Sequence, residues 1–127
     1  MKPKTIVILT LLLIIIVGGI AWLATREPAV SELDGFAQCL KDEGAIFYGA
    51  FWCPHCQDQK KLFGTAKRFL PYIECSTPSG NGQTQICIDK NIKGYPLWQF
   101  ADGTEQGGLM SLAMLAEKTA CVLPAGQ

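Results

Sequence analysis

The chain has 127 residues, 49% of them hydrophobic, and its 11 basic and 11 acidic side chains give a formal net charge of zero. That length fits one domain with an appendage, not two domains. The balanced charge lacks the basic footprint of a nucleic-acid-binding protein, so no nucleic-acid partner is expected.

Residues 6–24, ending "VILTLLLIIIVGGIAWLA", contain no charge. As a helix these 19 residues span roughly 28 Å, close to the hydrocarbon thickness of a bilayer. The apolar core of a cleaved signal peptide is shorter, about 7–15 residues, and ends at a small-x-small site. Here the run is longer and Trp22 stands at its end, where an interfacial anchor sits. An uncleaved transmembrane anchor is therefore expected, with a cleaved signal as the alternative. Lys2 and Lys4 precede the run, while Arg26 and Glu27 after it cancel. The positive-inside rule then puts residues 1–5 in the cytoplasm, and residues 25–31 become a short polar linker to an extracytoplasmic domain over 32–127. All six cysteines fall in that outer part, where disulfides persist.

In "SELDGFAQCLKDEG", Ser31 and Asp34 resemble a capping box, Leu33, Phe36, Ala37 and Leu40 share a helical face, and Gly44 is placed to end the helix. The apolar run "AIFYGAFW", 45–52, predicts a central strand buried on both faces. Pro54 suits the first position of a helix predicted to reach about residue 70, with Leu62, Phe63, Ala66, Phe69 and Leu70 on its apolar face and a bend at Gly64. A short strand at 72–75, a loop at 76–82 and a short helix within 83–91 follow. A strand is predicted at 97–100, then an Asp-Gly hairpin turn in "ADGT", a short strand, and a last helix capped by Ser111, with Leu112, Leu115, Ala116 and Thr119 on one face. The early strands, separated by helices, should be parallel, and the late pair antiparallel. The fold class is thus α/β: a mixed sheet of about four strands with helices on both faces, plus one N-terminal transmembrane helix.

"GAFWCPHCQDQKKLFG" places Cys53 and Cys56 where a strand hands over to a helix. Disulfide exchange needs an accessible thiolate, and the free N–H groups and dipole of a helix start favour negative charge at Cys53. Cys56, one turn on, can reach back to it, and His55 adds a candidate cation. The alternatives are a structural disulfide or a metal site. A metal site wants about four ligands, and the sole histidine lies inside the motif, so no metal and no cofactor are expected.

The strand–Trp–Cys-x-x-Cys–helix unit, with Pro96 before a later strand, resembles the thioredoxin fold over residues 32–123. "FAQCL", "YGAFWCPHCQDQKKLFG", "YIEC", "IKGYP" and "LAEKTAC" narrow the resemblance to thioredoxin-like domains fused to, or working beside, bacterial vitamin K epoxide reductase homologues. The Cys-Pro-His-Cys motif is DsbA-like. The resemblance implies that Cys53 attacks, Cys56 resolves and Pro96 is cis, with Trp52, Pro54, His55 and Tyr95 shaping the site. One departure stands out: where thioredoxin carries a buried acid, six residues before the first cysteine, this chain has Phe47.

The remaining four cysteines read as structural pairs. Cys75 and Cys87 flank a Gly- and Ser-rich loop, and Cys39 and Cys121 lie late in the first and last helices of the domain. The rival is a second exchange pair at Cys75 and Cys87. Lys60 and Lys61 read as a solvated face and Trp98 as core. The expected function is a membrane-anchored, extracytoplasmic thiol-disulfide oxidoreductase. It would donate disulfides to secreted proteins and be reoxidised by a membrane quinone-linked partner of the vitamin K epoxide reductase type. A tethered reductase and a redox-inactive polypeptide-binding module are the alternatives.

Overall fold

The computed structural model describes residues 2–25 and 30–127. The charge balance of Arg26 and Glu27, and most of the 25–31 linker, lie outside the described residues. Helix α1, Pro3–Ala24, has 22 residues and is long and apolar enough to cross a membrane. It begins three residues earlier than the apolar run, because Pro3 occupies its first turn, where a missing N–H costs nothing. The hydroxyl of Thr10 donates to the Val7 carbonyl at 2.9 Å, so this polar side chain is satisfied within the helix.

Helix α2, Asp34–Asp42, has Leu33 at its N-cap with no side-chain cap bond, so the Ser31–Asp34 capping box forms only in part. Ser31 N donates to Asp34 Oδ2 at 3.1 Å, and Leu33 N donates to Ser31 Oγ at 3.2 Å. Gly44 adopts φ +76° and turns the chain into strand β1, Ile46–Gly49. The strand is shorter than the 45–52 run suggests: Cys53 N donates to Ala50 O at 3.0 Å, and that turn leaves Phe51 and Trp52 exposed.

Helix α3, Pro54–Leu62, also ends early. Gly64 takes φ +53°, which breaks the helix, and the chain continues as a 3-10 turn, Gly64–Phe69. The break rotates Phe63 and Ala66 fully inward and leaves Leu62 40% exposed, so Leu62 is not the core residue that a single helix to 70 implied. Phe63 stacks on Phe36 of α2, centroids 6.0 Å apart, and Arg68 pairs with Asp34 at 2.6 Å, which ties the 3-10 turn to α2.

Strand β2, Tyr72–Glu74, helix α4, Gln85–Asp89, strands β3, Leu97–Gln99, and β4, Glu105–Gly107, and helix α5, Leu112–Thr119, complete the chain. Ser111 Oγ accepts from Met114 N and caps α5. The sheet order is β2-β1-β3-β4, with β1 parallel to β2 and the other pairs antiparallel. Alternation along β1 splits the core. Phe47 joins the side formed by α2, α3 and α5, and stacks on Trp98 with centroids 4.9 Å apart. Tyr48 joins the other side, with Cys75, Cys87 and Ile92 around α4. Helices therefore cover both faces, and the domain has the thioredoxin-like fold. The fully exposed β4 is a short edge strand that carries a charge, which discourages edge pairing.

Candidate active site

The parallel pairing of β1 with β2 builds the site. Gly49 lies opposite Glu74, and the chain then turns through 50–53 into α3. Cys53 is the N-cap of α3 in extended conformation, with Pro54 at the first helical position. Its sulfur accepts from Cys56 N at 3.3 Å. Because that side chain folds back onto the helix start, Cys53 is only 5% exposed, against 0% for Cys56. An openly exposed Cys53 is thus corrected to a nearly buried one. Both are free thiols. Burial, and then the contact with Cys53, push the Cys56 thiol up to about 12, while an Ala50 backbone hydrogen bond and Lys60 act in the opposite sense.

Aromatic side chains and a stapled loop frame the pair. The Tyr95–Pro96 peptide is cis and Pro96 is buried. Trp52 meets Tyr95 edge-on, centroids 6.1 Å apart, and its indole N–H donates to Ser76 Oγ at 2.9 Å. Gln83 Nε2 donates to the Tyr95 hydroxyl at 2.7 Å and to Ile92 O at 2.8 Å. Gln57, on the first turn of α3, bonds back to Phe51 O. The loop carrying Ser76 and Gln83 is closed by the Cys75–Cys87 disulfide, and Cys39 is bonded to Cys121 across 82 residues. His55 is exposed.

Several residues of the site had no signal in the motif. Gly49 leaves no room for a side chain: a Cβ there would lie 2.8 Å from Tyr72 Cε2 and 3.0 Å from Cys56 Sγ. Tyr72 donates its hydroxyl to Glu74 Oε2 at 2.8 Å, and burial raises its pKa well above the ordinary tyrosine value, with Glu74 adding to the rise. Glu74 Oε1 accepts from Phe51 N and Ser76 N, at 3.2 and 2.9 Å, so this carboxylate ties β2 to the turn before Cys53. Lys60 is not a solvated side chain: it is half-buried, its Nζ 3.4 Å from the centroid of the Tyr72 ring. Lys61 is solvated, its side chain 75% exposed and paired with Asp58. The four-residue spacing from Cys56 to Lys60 was the available clue, since such residues share a helix face. Among the described residues, no three His, Cys, Asp or Glu side chains gather as a metal site would require.

A strand-to-helix Cys-x-x-Cys on a thioredoxin-like sheet, with the cis Tyr95–Pro96 peptide reached through Trp52, is the constellation of thiol-disulfide exchange proteins. In an 87-residue alignment that covers 65% of the chain, it is 42% identical to a protein of Arabidopsis thaliana named Thiol-disulfide oxidoreductase LTO1. It spans 23% of that protein's length. No family model matches the chain.

Proposed function

We propose that the protein is a membrane-anchored, extracytoplasmic thiol-disulfide oxidoreductase that donates disulfides to secreted proteins. The observation that carries this reading is the Cys53 sulfur at the start of α3, accepting from the Cys56 N–H, with Cys56 buried behind it. A helix start that stabilises negative charge on Cys53 stabilises the reduced pair, and that makes the oxidised pair the stronger oxidant. A substrate thiolate attacks Cys53 of the disulfide form, and Cys56 leaves. A second substrate thiolate then attacks the mixed disulfide, releasing an oxidised substrate and the dithiol protein. A quinone-linked membrane partner of the vitamin K epoxide reductase type would reoxidise the pair. The LTO1 resemblance supports the exchange chemistry, and α1 supports the anchor. With a linker of seven residues, at most about 25 Å extended, the site stays close to the bilayer and meets a membrane partner at high effective concentration.

The test is the reduction potential of the Cys53–Cys56 pair against glutathione, together with trapping. A potential well above about −270 mV supports the donor role, and one at or below it favours a tethered reductase. Cys56→Ser should accumulate mixed disulfides through Cys53, and Cys53→Ser should abolish exchange. Absence of exchange in the unaltered protein would leave polypeptide binding as the better reading.

A further inference from the structure

Each opening and closing of the Cys53–Cys56 bond puts a charge on Cys56 or takes one off, in a place closed to water. The position where a thioredoxin-like chain would carry an acid for this holds Phe47, fully buried against Trp98. Few ionisable groups face the Cys56 sulfur. From α3 come Cys53 and Lys60 and from β2 Tyr72, while Glu74 of β2 and Lys67 of the 3-10 turn act on Lys60. The β1 positions nearby are Phe47 and Gly49, which carry nothing that titrates. Gln59, fully buried on the same helix, is held at both ends of its amide by Met110, at 3.0 and 2.8 Å.

Geometry selects among these groups. Lys60 follows Cys56 by four residues and lies on the same face of α3. Its Nζ rests on the Tyr72 ring, whose edge converges with the Cys56 sulfur on the space that Gly49 leaves free. The Tyr72 proton is committed to Glu74, and both Glu74 oxygens are occupied, which leaves Lys60 as the group with a proton to give. Burial holds the Lys60 amine below the ordinary lysine value; Glu74 and Cys56 oppose that, and Lys67 adds to it. Lys60 also borders a pocket of about 460 Å³, lined in part by Gln57, Lys67 and Tyr72, through which it can exchange protons with solvent.

We propose that Lys60 handles the proton of Cys56: its ammonium compensates and then protonates the Cys56 thiolate released when the disulfide opens, and its amine takes that proton back when the disulfide closes. The inference rests on the exchange reaction proposed above. In the opening step the substrate thiolate forms a bond to Cys53 Sγ and the Cys53–Cys56 bond breaks. The electron pair of the broken bond stays on Cys56 Sγ, and a proton passes to it from Lys60 Nζ. Lys60 recovers a proton from solvent. Closing runs in reverse, and the substrate leaves as the thiolate.

The experiment uses the full chain in detergent micelles, pre-oxidised and mixed with a dithiol peptide, and the rate of mixed-disulfide formation is followed against pH. Lys60→Met should slow the step about tenfold near neutral pH and flatten its pH profile. Lys60→Arg should recover part of the rate through its charge, but not the profile, since Arg keeps its proton. Lys61→Met, which removes an equal charge beside it, should match the unaltered protein. In a Cys56→Ser background, where no Cys56 thiolate departs, Lys60→Met should leave the reaction of Cys53 with a small disulfide unchanged. A Lys60→Met protein with unaltered rate and profile would overturn the proposal. So would a Lys60→Arg protein that restores both, or an equal slowing in the Cys56→Ser background. No exchange in the unaltered protein would overturn the exchange reaction itself, and the role of Lys60 with it.

Discussion

Gly49→Ala tests whether the space between β1, Tyr72 and Cys56 is as tight as the geometry requires. Gly49 does not adopt a positive φ, so alanine meets no backbone penalty and the effect is steric. The added methyl would lie 2.8 Å from Tyr72 Cε2 and 3.0 Å from Cys56 Sγ. The first separation is at least about 0.7 Å inside the optimum for a carbon pair, about 3.5–4.0 Å. Neither neighbour yields easily. The Tyr72 ring is held by its hydroxyl bond to Glu74, by Lys60 on its face and by Phe47, whose centroid is 5.1 Å away. Cys56 is fully buried on the first turn of α3. Overpacking of this kind costs about 1–3 kcal/mol, and replacing glycine returns about 0.4–1 kcal/mol through the unfolded chain. A net loss of about 1–2 kcal/mol is expected, read as a lower urea midpoint with an unchanged slope. Exchange should slow as well, because the side chain best able to move is Cys56, away from the methyl and out of register with Cys53. A Gly49→Ala protein as stable and as fast as the unaltered one would refute this account of the packing.

Other consequences follow from the same geometry. Replacing Cys39 and Cys121 by alanine should cost about 4.5 kcal/mol on loop-entropy grounds, against about 2.8 kcal/mol for Cys75 and Cys87, since the spans are 82 and 12 residues. Equal or inverted losses in chemical denaturation would contradict that ranking. The Cys56 thiol, raised from 9.0 to about 12 by burial and Cys53, favours the folded state while neutral. Its contribution is complete below about pH 9 and is lost as pH rises towards about 12, because the unfolded chain gives up the proton first. The reduced protein should therefore lose stability across that window more steeply than a Cys56→Ala variant; parallel curves would count against the shift. Ser76→Ala removes the acceptor of the Trp52 indole and should cost about 1 kcal/mol. Iodide should then quench Trp52 more strongly, with the fully buried Trp98 as internal reference.

Features that depend on neighbours along the chain could be read from the amino acids alone. The uncharged run at 6–24, the helix cap at Ser111, the turn at Gly44 and the strand-to-helix position of Cys53 and Cys56 are all local. Each follows from a cap, a φ preference or a hydrophobic period that a few adjacent residues encode. The break at Gly64 was less legible: a glycine bends or ends a helix according to what the next turn can bury, and here burial of Phe63, Ala66 and Leu70 outweighs continuing the helix with Leu62 inside. The surroundings of the cysteine pair, by contrast, arise from packing between distant segments. Parallel register between β1 and β2 brings Glu74 opposite Gly49 and the Tyr72 ring up to Cys56, and that ring draws Lys60 out of solvent. The Trp52–Ser76 and Gln83–Tyr95 bonds likewise join segments that meet only once the sheet has formed. Strand register is set by burial summed over the whole sheet, so no short stretch of this chain states which side chains will face Cys56.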